Sequence, residues 1–450
     1  MLKNYFKTAI RNLTGNKVYS LITVTGLAVG IAVCLVIFVF IRYEQSYDSF
    51  HPNKDRIYRV MTRGAGKDDH GANSAVPFPL PTAMKNDFPD LTSAAIFGLS
   101  NVQLQVVDKA GVMEKKFKEK SGVFLLEPSF FSIFQFPWLA GDVSRALLDP
   151  LSAAITQSTA ERYFGDWKQA MGKSLKINNE RTVTITGIIA DPPSNTDLQL
   201  KIVLPYTFFR FYKSKDWWTI NGAHGCYVLL PPNGNAASID QRLKVFSKKY
   251  RSADNKNTQE LQSLGEVHFD AQAGNYSGKF ITRDRIRTLW LIAAFILIIA
   301  CVNFINLSTA QAVNRAREVG VRKVLGSNRT QLTVQFLLEA LLLVATSISL
   351  AVLLVGTLLG PIGKVLDSPL HFELFRQTAV LVFLSGALVV VTLLAGFYPA
   401  LVLSSFNPIT ALKSRIIARS SRGISLRRGL VVFQFIIAQA LIIGTLLILR

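Results

Sequence analysis

Asn314-Arg-Ala-Arg-Glu-Val-Gly-Val-Arg-Lys-Val-Leu-Gly326 is a basic stretch caught between two apolar runs, Leu289 to Leu307 and Val334 to Gly360. Each run answers to the roughly 20 residues that a helix needs to cross a bilayer. The stretch between them is therefore held at the membrane face. Val313, Ala316, Gly320 and Val324 recur at helical spacing, Glu318 precedes Arg322 in the favourable order, and Gly326 suits a helix C-terminus. The sequence thus predicts a short amphipathic helix from Arg315 to Leu325 with one small-residue face and with Arg315, Arg317, Glu318, Arg322 and Lys323 as its charged residues.

Three further runs have the same length and character: Val18 to Ile41, Thr378 to Leu403 and Leu430 to Leu449. Half the residues are hydrophobic and the mean hydropathy is positive, yet the chain carries 50 basic and 29 acidic side chains. A soluble domain would have to hide too much apolar surface, so the composition reads as a membrane protein with sizeable polar parts. The first run is 24 residues long and lacks a small-x-small cleavage site before Arg42, which makes it an anchor rather than a cleaved signal.

A net charge of +21 in a soluble chain would suggest nucleic acid, but its placement argues for a membrane and no nucleic acid. Lys3, Lys7, Arg11 and Lys17 precede the first run with no acid among them. Residues 312–333 carry five bases against Glu318, and residues 404–428 carry six against none. Residues 43–285, by contrast, hold 30 bases and 25 acids. By the positive-inside rule the N-terminus and the two short basic loops are cytoplasmic and the long segment is external. The predicted order is an interfacial amphipathic helix (1–17, apolar stripe Leu2, Tyr5, Phe6, Ala9, Ile10, Leu13), span one (18–42), an ectodomain (43–286), span two (287–311) and a cytoplasmic helix loop (312–333). Span three (334–360), an external loop (361–377), span four (378–403), a basic cytoplasmic linker (404–428) and a fifth span (429–450) follow. The ectodomain alternates strand-like and helical patterns, with a hairpin at Asn178-Asn179-Glu180, so its expected class is mixed α/β or α+β. The predicted fold is a transmembrane helical bundle with that domain inserted between spans one and two.

The stretch from Asn314 to Gly326 resembles the cytoplasmic coupling helix of the FtsX/MacB-like family of ABC transporter permeases. Ala395-Gly-Phe-Tyr-Pro-Ala-Leu401 and Phe406-Asn-Pro-Ile-Thr-Ala-Leu-Lys413 are similar to the end of that family's fourth membrane helix. Leu2-Lys-Asn-Tyr-Phe-Lys-Thr-Ala-Ile-Arg-Asn-Leu13 and Phe50-His-Pro-Asn-Lys-Asp-Arg-Ile-Tyr-Arg59 resemble the larger permeases in which the whole arrangement occurs twice. The resemblance implies a periplasmic core domain of two subdomains, a bacterial inner-membrane location and a separate dimeric cytoplasmic ATPase that uses the ATP. It also implies a periplasmic adaptor or outer-membrane partner and a second repeat, of which the fifth span is the start.

Few motifs compete with that reading. Gly172-Lys173-Ser174 mimics the end of a phosphate loop, but Trp167 stands where the earlier glycine is required. Asp68-Asp69-His70 and His51 do not stand at metal-ligand spacing on a common element, and no cofactor site is expected in this chain. Cys226 is alone in the ectodomain, which excludes an intrachain disulfide there.

Polar residues inside spans carry more information, because a central charge costs about 2.5 to 3.5 kcal/mol to insert. Glu339 either faces the bundle, linking the basic helix to span three, or reaches the interface. Asn303 and Asn306 are expected to hydrogen-bond between helices, Gly26 and Gly30 to let helices approach closely, and Pro399 to kink span four. The leading function is a transport subunit that transmits ATP-driven movement from the ATPase to its ectodomain. A membrane receptor with a ligand-binding ectodomain fits the single large insertion but not the three further spans, and an anchored ectodomain enzyme has no catalytic constellation behind it.

Overall fold

A computed structural model describes residues 11, 15, 17–64, 71–108, 112–209, 213–370, 377–405 and 421–448. The interfacial helix expected over residues 1–17 and much of the linker expected over 404–428 lie outside the described residues. The chain divides into two compact units, Met1–Tyr43 with Asp284–Arg450, and Glu44–Arg283.

The first unit is helical: α1 (Lys17–Gln45), α2 (Arg283–Val324), α3 (Arg329–Val365), α4 (Thr378–Ser405) and α5 (Ser421–Ile448). Four of them, α1 to α4, are long and apolar enough to cross a membrane. In α5 the apolar stretch among the described residues is Arg428–Ala440. Leu27, Ile31, Leu35 and Val39 form a ridge of every fourth residue on α1. That ridge belongs to one core with Ala300 and Phe304 of α2, Leu343, Val344, Ala351 and Val355 of α3, and Leu384, Val391 and Ala395 of α4. Val18, Leu21, Leu353, Val382 and Leu393 are exposed, which in water would be a liability and in hydrocarbon is not.

Three boundaries differ from expectation. Helix α5 starts at Ser421, inside the segment expected to be linker, and among the described residues its apolar stretch, Arg428–Ala440, is shorter than the expected fifth span. The basic segment is not a separate short helix: α2 runs unbroken for 42 residues from Arg283 to Val324, carrying the second span directly into it. Its interior from Thr309 to Val324 contains no proline, and its single glycine, Gly320, costs only about 1 kcal/mol, too little to break a long helix held at both ends by packing. Likewise α3 continues through Pro361 to Val365, into the segment expected to be loop.

The second unit is built on one continuous mixed sheet. In spatial order its strands are Thr258–Ser263, Ile57–Arg63, His224–Leu229, Thr92–Leu99, Val123–Leu126, Ile202–Pro205, Ser152–Thr156, Arg181–Ile189, Ser174–Ile177, Val102–Val107 and Met113–Glu119. Two pairs are parallel, Ser152–Thr156 with Arg181–Ile189 and Val123–Leu126 with Ile202–Pro205. Asn178 and Asn179 turn the chain between antiparallel strands with φ of 48° and 62°, the left-handed pair that matches strand twist in a tight hairpin. Three apolar cores serve the sheet, one around Leu104, Ile155 and Ile185, one around Ile96, Phe130 and Val203, and one around Val60, Leu80 and Leu243. Residues 44–283 form one compact unit on this sheet, with no division into the two subdomains that the resemblance implies.

Candidate functional site

The site lies where α2 turns into α3. Gly326 takes φ 97° and donates from its N–H to the Lys323 carbonyl at 3.1 Å, while Ser327 N donates to the Arg322 carbonyl at 3.0 Å. This is the Schellman closure of a helix C-terminus, a conformation that a side chain at Gly326 would strain. Asn328 then caps α3 through a reciprocal box with Gln331. Both orphan ends are satisfied within residues 325–328, which makes the turn short and stiff.

The two arms are also joined laterally. Arg322 pairs with Glu318 one turn back and donates from Nη1 to Gln335 Oε1 of α3 at 2.9 Å. Val319 packs with Leu332 and Phe336 of α3 and with Ala400 of α4. Outward from this contact, Val321, Val324 and Leu325 are 45, 65 and 80% exposed, an apolar step on the tip of a basic hairpin.

The expected small-residue face is therefore not the outward one. Gly320 is buried and Val324 exposed, because the helix turns Val319 and Gly320 towards its own neighbours. Glu318 is exposed, Lys323 is half-buried, and the side chains of Arg315 and Arg317 lie outside the described residues although their backbone is helical.

Above the hairpin, Glu339 is buried, with 5% of its surface exposed. It lines a cavity of ≈ 40 Å³ with Tyr19, Ser308, Gln311, Gly396 and Pro399, so residues of α1 to α4 all meet there. Tyr19 Oη and Ser308 Oγ are 2.8 Å apart. A space of that size with four polar lining groups suits one buried water, which needs two to four partners. Of the two readings left open for Glu339, the structure has it facing the bundle.

The other intramembrane residues separate. A Cβ on Gly30 would lie 2.7 Å from Ala300 Cβ, whereas Gly26 is exposed with nothing within 4 Å. Among the described residues only Gly30 serves close approach. Asn303 is exposed, and Asn306 Oδ1 is buried without a partner among the described residues. Among the described residues neither makes an interhelical hydrogen bond, because α2 turns Asn303 outward and sets no donor beside Asn306 Oδ1. Pro399 lies inside α4, which continues past it, and lines the Glu339 cavity. Sequence reading missed Gln335, although a second polar residue four positions before Glu339 in an apolar run places both on one helix face.

Residues 20–245 match the family model described as the MacB-like periplasmic core domain, and residues 290–408 match that of the FtsX-like permease C-terminal. A macrolide export ATP-binding/permease protein MacB of Burkholderia lata is 22% identical over 89% of this chain and 56% of its own length. The homologue of the same name in Marinobacter nauticus is 22% identical over 91% of this chain and 60% of its own. The chain thus spans a little over half the length of the curated relatives it matches. Among solved structures, a domain of a putative permease from Porphyromonas gingivalis aligns with a TM-score of 0.41 at 24% identity, over 47% of this chain and 92% of that one.

Proposed function

Because the chain belongs to the FtsX/MacB-like family of ABC transporter permeases, we propose that it carries movement from a separate cytoplasmic ATPase to its extracytoplasmic domain, for export or extraction of a substrate. The chain itself binds no cofactor, and ATP is hydrolysed by the partner, a dimer docking on the tip of the α2–α3 hairpin. The N-terminus and the hairpin face the cytoplasm and residues 44–283 the periplasm of an inner membrane, the side assignment resting on the distribution of basic residues. The second repeat and an adaptor or outer-membrane partner complete the assembly.

The observation that carries this reading is the unbroken path of α2 from Arg283 to the Schellman turn at Gly326. A push on the exposed Val321, Val324 and Leu325 enters a rigid helix, not a floppy loop, and reaches the opposite end of the span by rigid-body motion. The cross-link to α3 through Arg322 and Gln335 makes both spans respond together. The test is reconstitution with an ATPase of this permease family that associates with the chain. Val324→Asp with Leu325→Asp should abolish stimulation of that ATPase while the chain inserts and elutes as before. Unchanged stimulation would remove the hairpin from the coupling path.

A further inference from the structure

Where the first helix runs into the sheet unit, the chain makes a turn that carries a buried carboxyl, Asp48. Asp48 takes φ 53°, a left-handed conformation uncommon outside glycine and costing of order 1 kcal/mol or more. Its N–H donates to the Asn195 carbonyl at 2.9 Å, and Asn195 Nδ2 donates back to the Ser46 carbonyl at 3.0 Å and to Ser46 Oγ at 2.8 Å. Thr196 Oγ1 donates to Asp48 Oδ1, and Asp197 N to Asp48 Oδ2 at 3.4 Å. Ser277 N then donates to Asp197 Oδ1 at 2.7 Å, tying in the segment that returns towards the second helix. Turn 46–49, loop 195–197 and the bend at Ser277 form one clasp.

The charges inside the clasp do not balance. Asp48 and Asp197 are 2 and 1% exposed, and Asp197 Oδ2 has no partner among the described residues. The buried cation whose charge acts on Asp197 is Arg59, 1% exposed, whose guanidinium is engaged by Gln262 Oε1 and the Gly274 carbonyl. The remaining titratable neighbours are the hydroxyls of Tyr227, buried, and Tyr276, half-buried, both held neutral by desolvation. On the far side of Tyr47, whose ring stacks on His268 at 3.5 Å, the Glu44–His268 pair at 2.5 Å is self-contained. His51, one turn on, sits among Phe50, Phe134 and Phe136 and brings no charge to the clasp. Two carboxyls therefore face one guanidinium, and an uncompensated buried charge costs several kcal/mol.

We propose that a proton closes the clasp: Asp48 is the neutral acid while turn 46–49 is seated on loop 195–197, and it gives its proton to bulk water when the turn parts from the loop. Burial, with the neighbouring Asp197 second, pushes Asp48 up to about 7, so the switch lies within reach of ordinary external pH. The sign follows from linkage. The separated turn exposes an ordinary carboxyl, so the closed state is favoured at low pH and loses ground as pH rises towards 7, after which the handicap is constant. The converse also holds: pulling the turn off its loop expels a proton. The clasp lies wholly within residues 44–283 and does not rest on the transport reading above.

Hydrogen exchange read by mass spectrometry on the full chain in lipid nanodiscs, at about pH 6 and about pH 8.5, brackets the switch. The observable is the protection of the Asp48, Asp197 and Ser277 amides after correction for intrinsic exchange. In the wild type it should fall about tenfold from the lower to the higher pH. Asp48→Asn keeps an acceptor for Thr196 and cannot ionise, so its protection should be equal at the two values. Asp197→Asn, which removes the neighbouring charge, should move the fall to lower pH, and this variant decides the matter if Asp48→Asn fails to fold. Equal wild-type protection at both pH values overturns the proposal, as does an undiminished fall in Asp48→Asn or an unmoved one in Asp197→Asn. No ATPase enters the measurement, so a failure of the transport reading would leave its outcome unaffected.

Discussion

Arg322 Nη1 donates to Gln335 Oε1 at 2.9 Å, from the last turn of α2 to the second turn of α3, while the same guanidinium holds Glu318. The Glu318 pair is partly exposed, and such a pair contributes only about 0.3 to 0.5 kcal/mol. The bond to Gln335 is different in kind, because Gln335 is buried at 5% exposure and would otherwise leave its carbonyl oxygen unsatisfied.

A double-mutant cycle between Arg322→Met and Gln335→Met should therefore return a coupling energy of about 1 kcal/mol or more, measured on detergent-solubilised protein. Additive single effects would show that the two arms are not joined here.

Gly30 and Gly26 should behave oppositely. Gly30→Val drives a Cβ against Ala300, at 2.7 Å for the unrelaxed position, and should cost about 1 to 3 kcal/mol of bundle stability. Gly26→Val meets open space and should stay within about 0.5 kcal/mol in the isolated chain. Unfolding of both variants in detergent is the comparison, and equal losses would contradict the packing seen between α1 and α2.

His51 gives the ectodomain an acid-sensitive point. Its ring is buried against Phe50, and neither ring nitrogen has a partner among the described residues. Burial pushes its pKa from 6.5 down to about 4. The unfolded chain binds a proton below pH 6.5 that the folded state refuses until about 4, so this stability is full above 6.5 and lost as pH falls through that window. His224 acts in the same sense and Asp48 in the opposite one, so the variant difference is the clean observable. The stability of His51→Met relative to wild type should rise by about 1 to 3 kcal/mol between neutral pH and pH ~4.5. A difference independent of pH would rule this out.

Topology can be read at Ser327, which is half-buried in the turn between α2 and α3. The three native cysteines are buried and should contribute little background. Ser327→Cys should react with a membrane-impermeant maleimide only after cells are opened, and labelling on intact cells would reverse the orientation.

Much of the architecture was legible along the chain because its signals are local. An apolar run of bilayer length declares a span whatever it packs against, and the Asn178-Asn179 turn is written in two residues that tolerate positive φ. Gly326 belongs to the same class, since the left-handed closure of a helix depends on one residue and its backbone. The face that α2 turns outward was not legible. Spacing grouped Val313, Ala316, Gly320 and Val324, but the rotation of a helix about its axis is decided by what it meets, here Leu332, Phe336 and Ala400. The join between the basic segment and the second span within α2 was hidden for a related reason: a change from apolar to charged residues marks a change of solvent, not a break in hydrogen bonding.

By itself, then, the sequence determined which four segments are long and apolar enough to cross a membrane, where the large domain is inserted and where the hairpin turns, because each follows from composition or backbone preference within a few residues. Only the tertiary structure decided that Gly30 touches Ala300 while Gly26 touches nothing, that Glu339 shares a cavity with Tyr19 and Ser308, and that Asp48 is buried against Thr196 and Asp197. Those partners stand tens to hundreds of positions apart, and their meeting depends on the summed packing of whole helices and strands, which no local preference encodes.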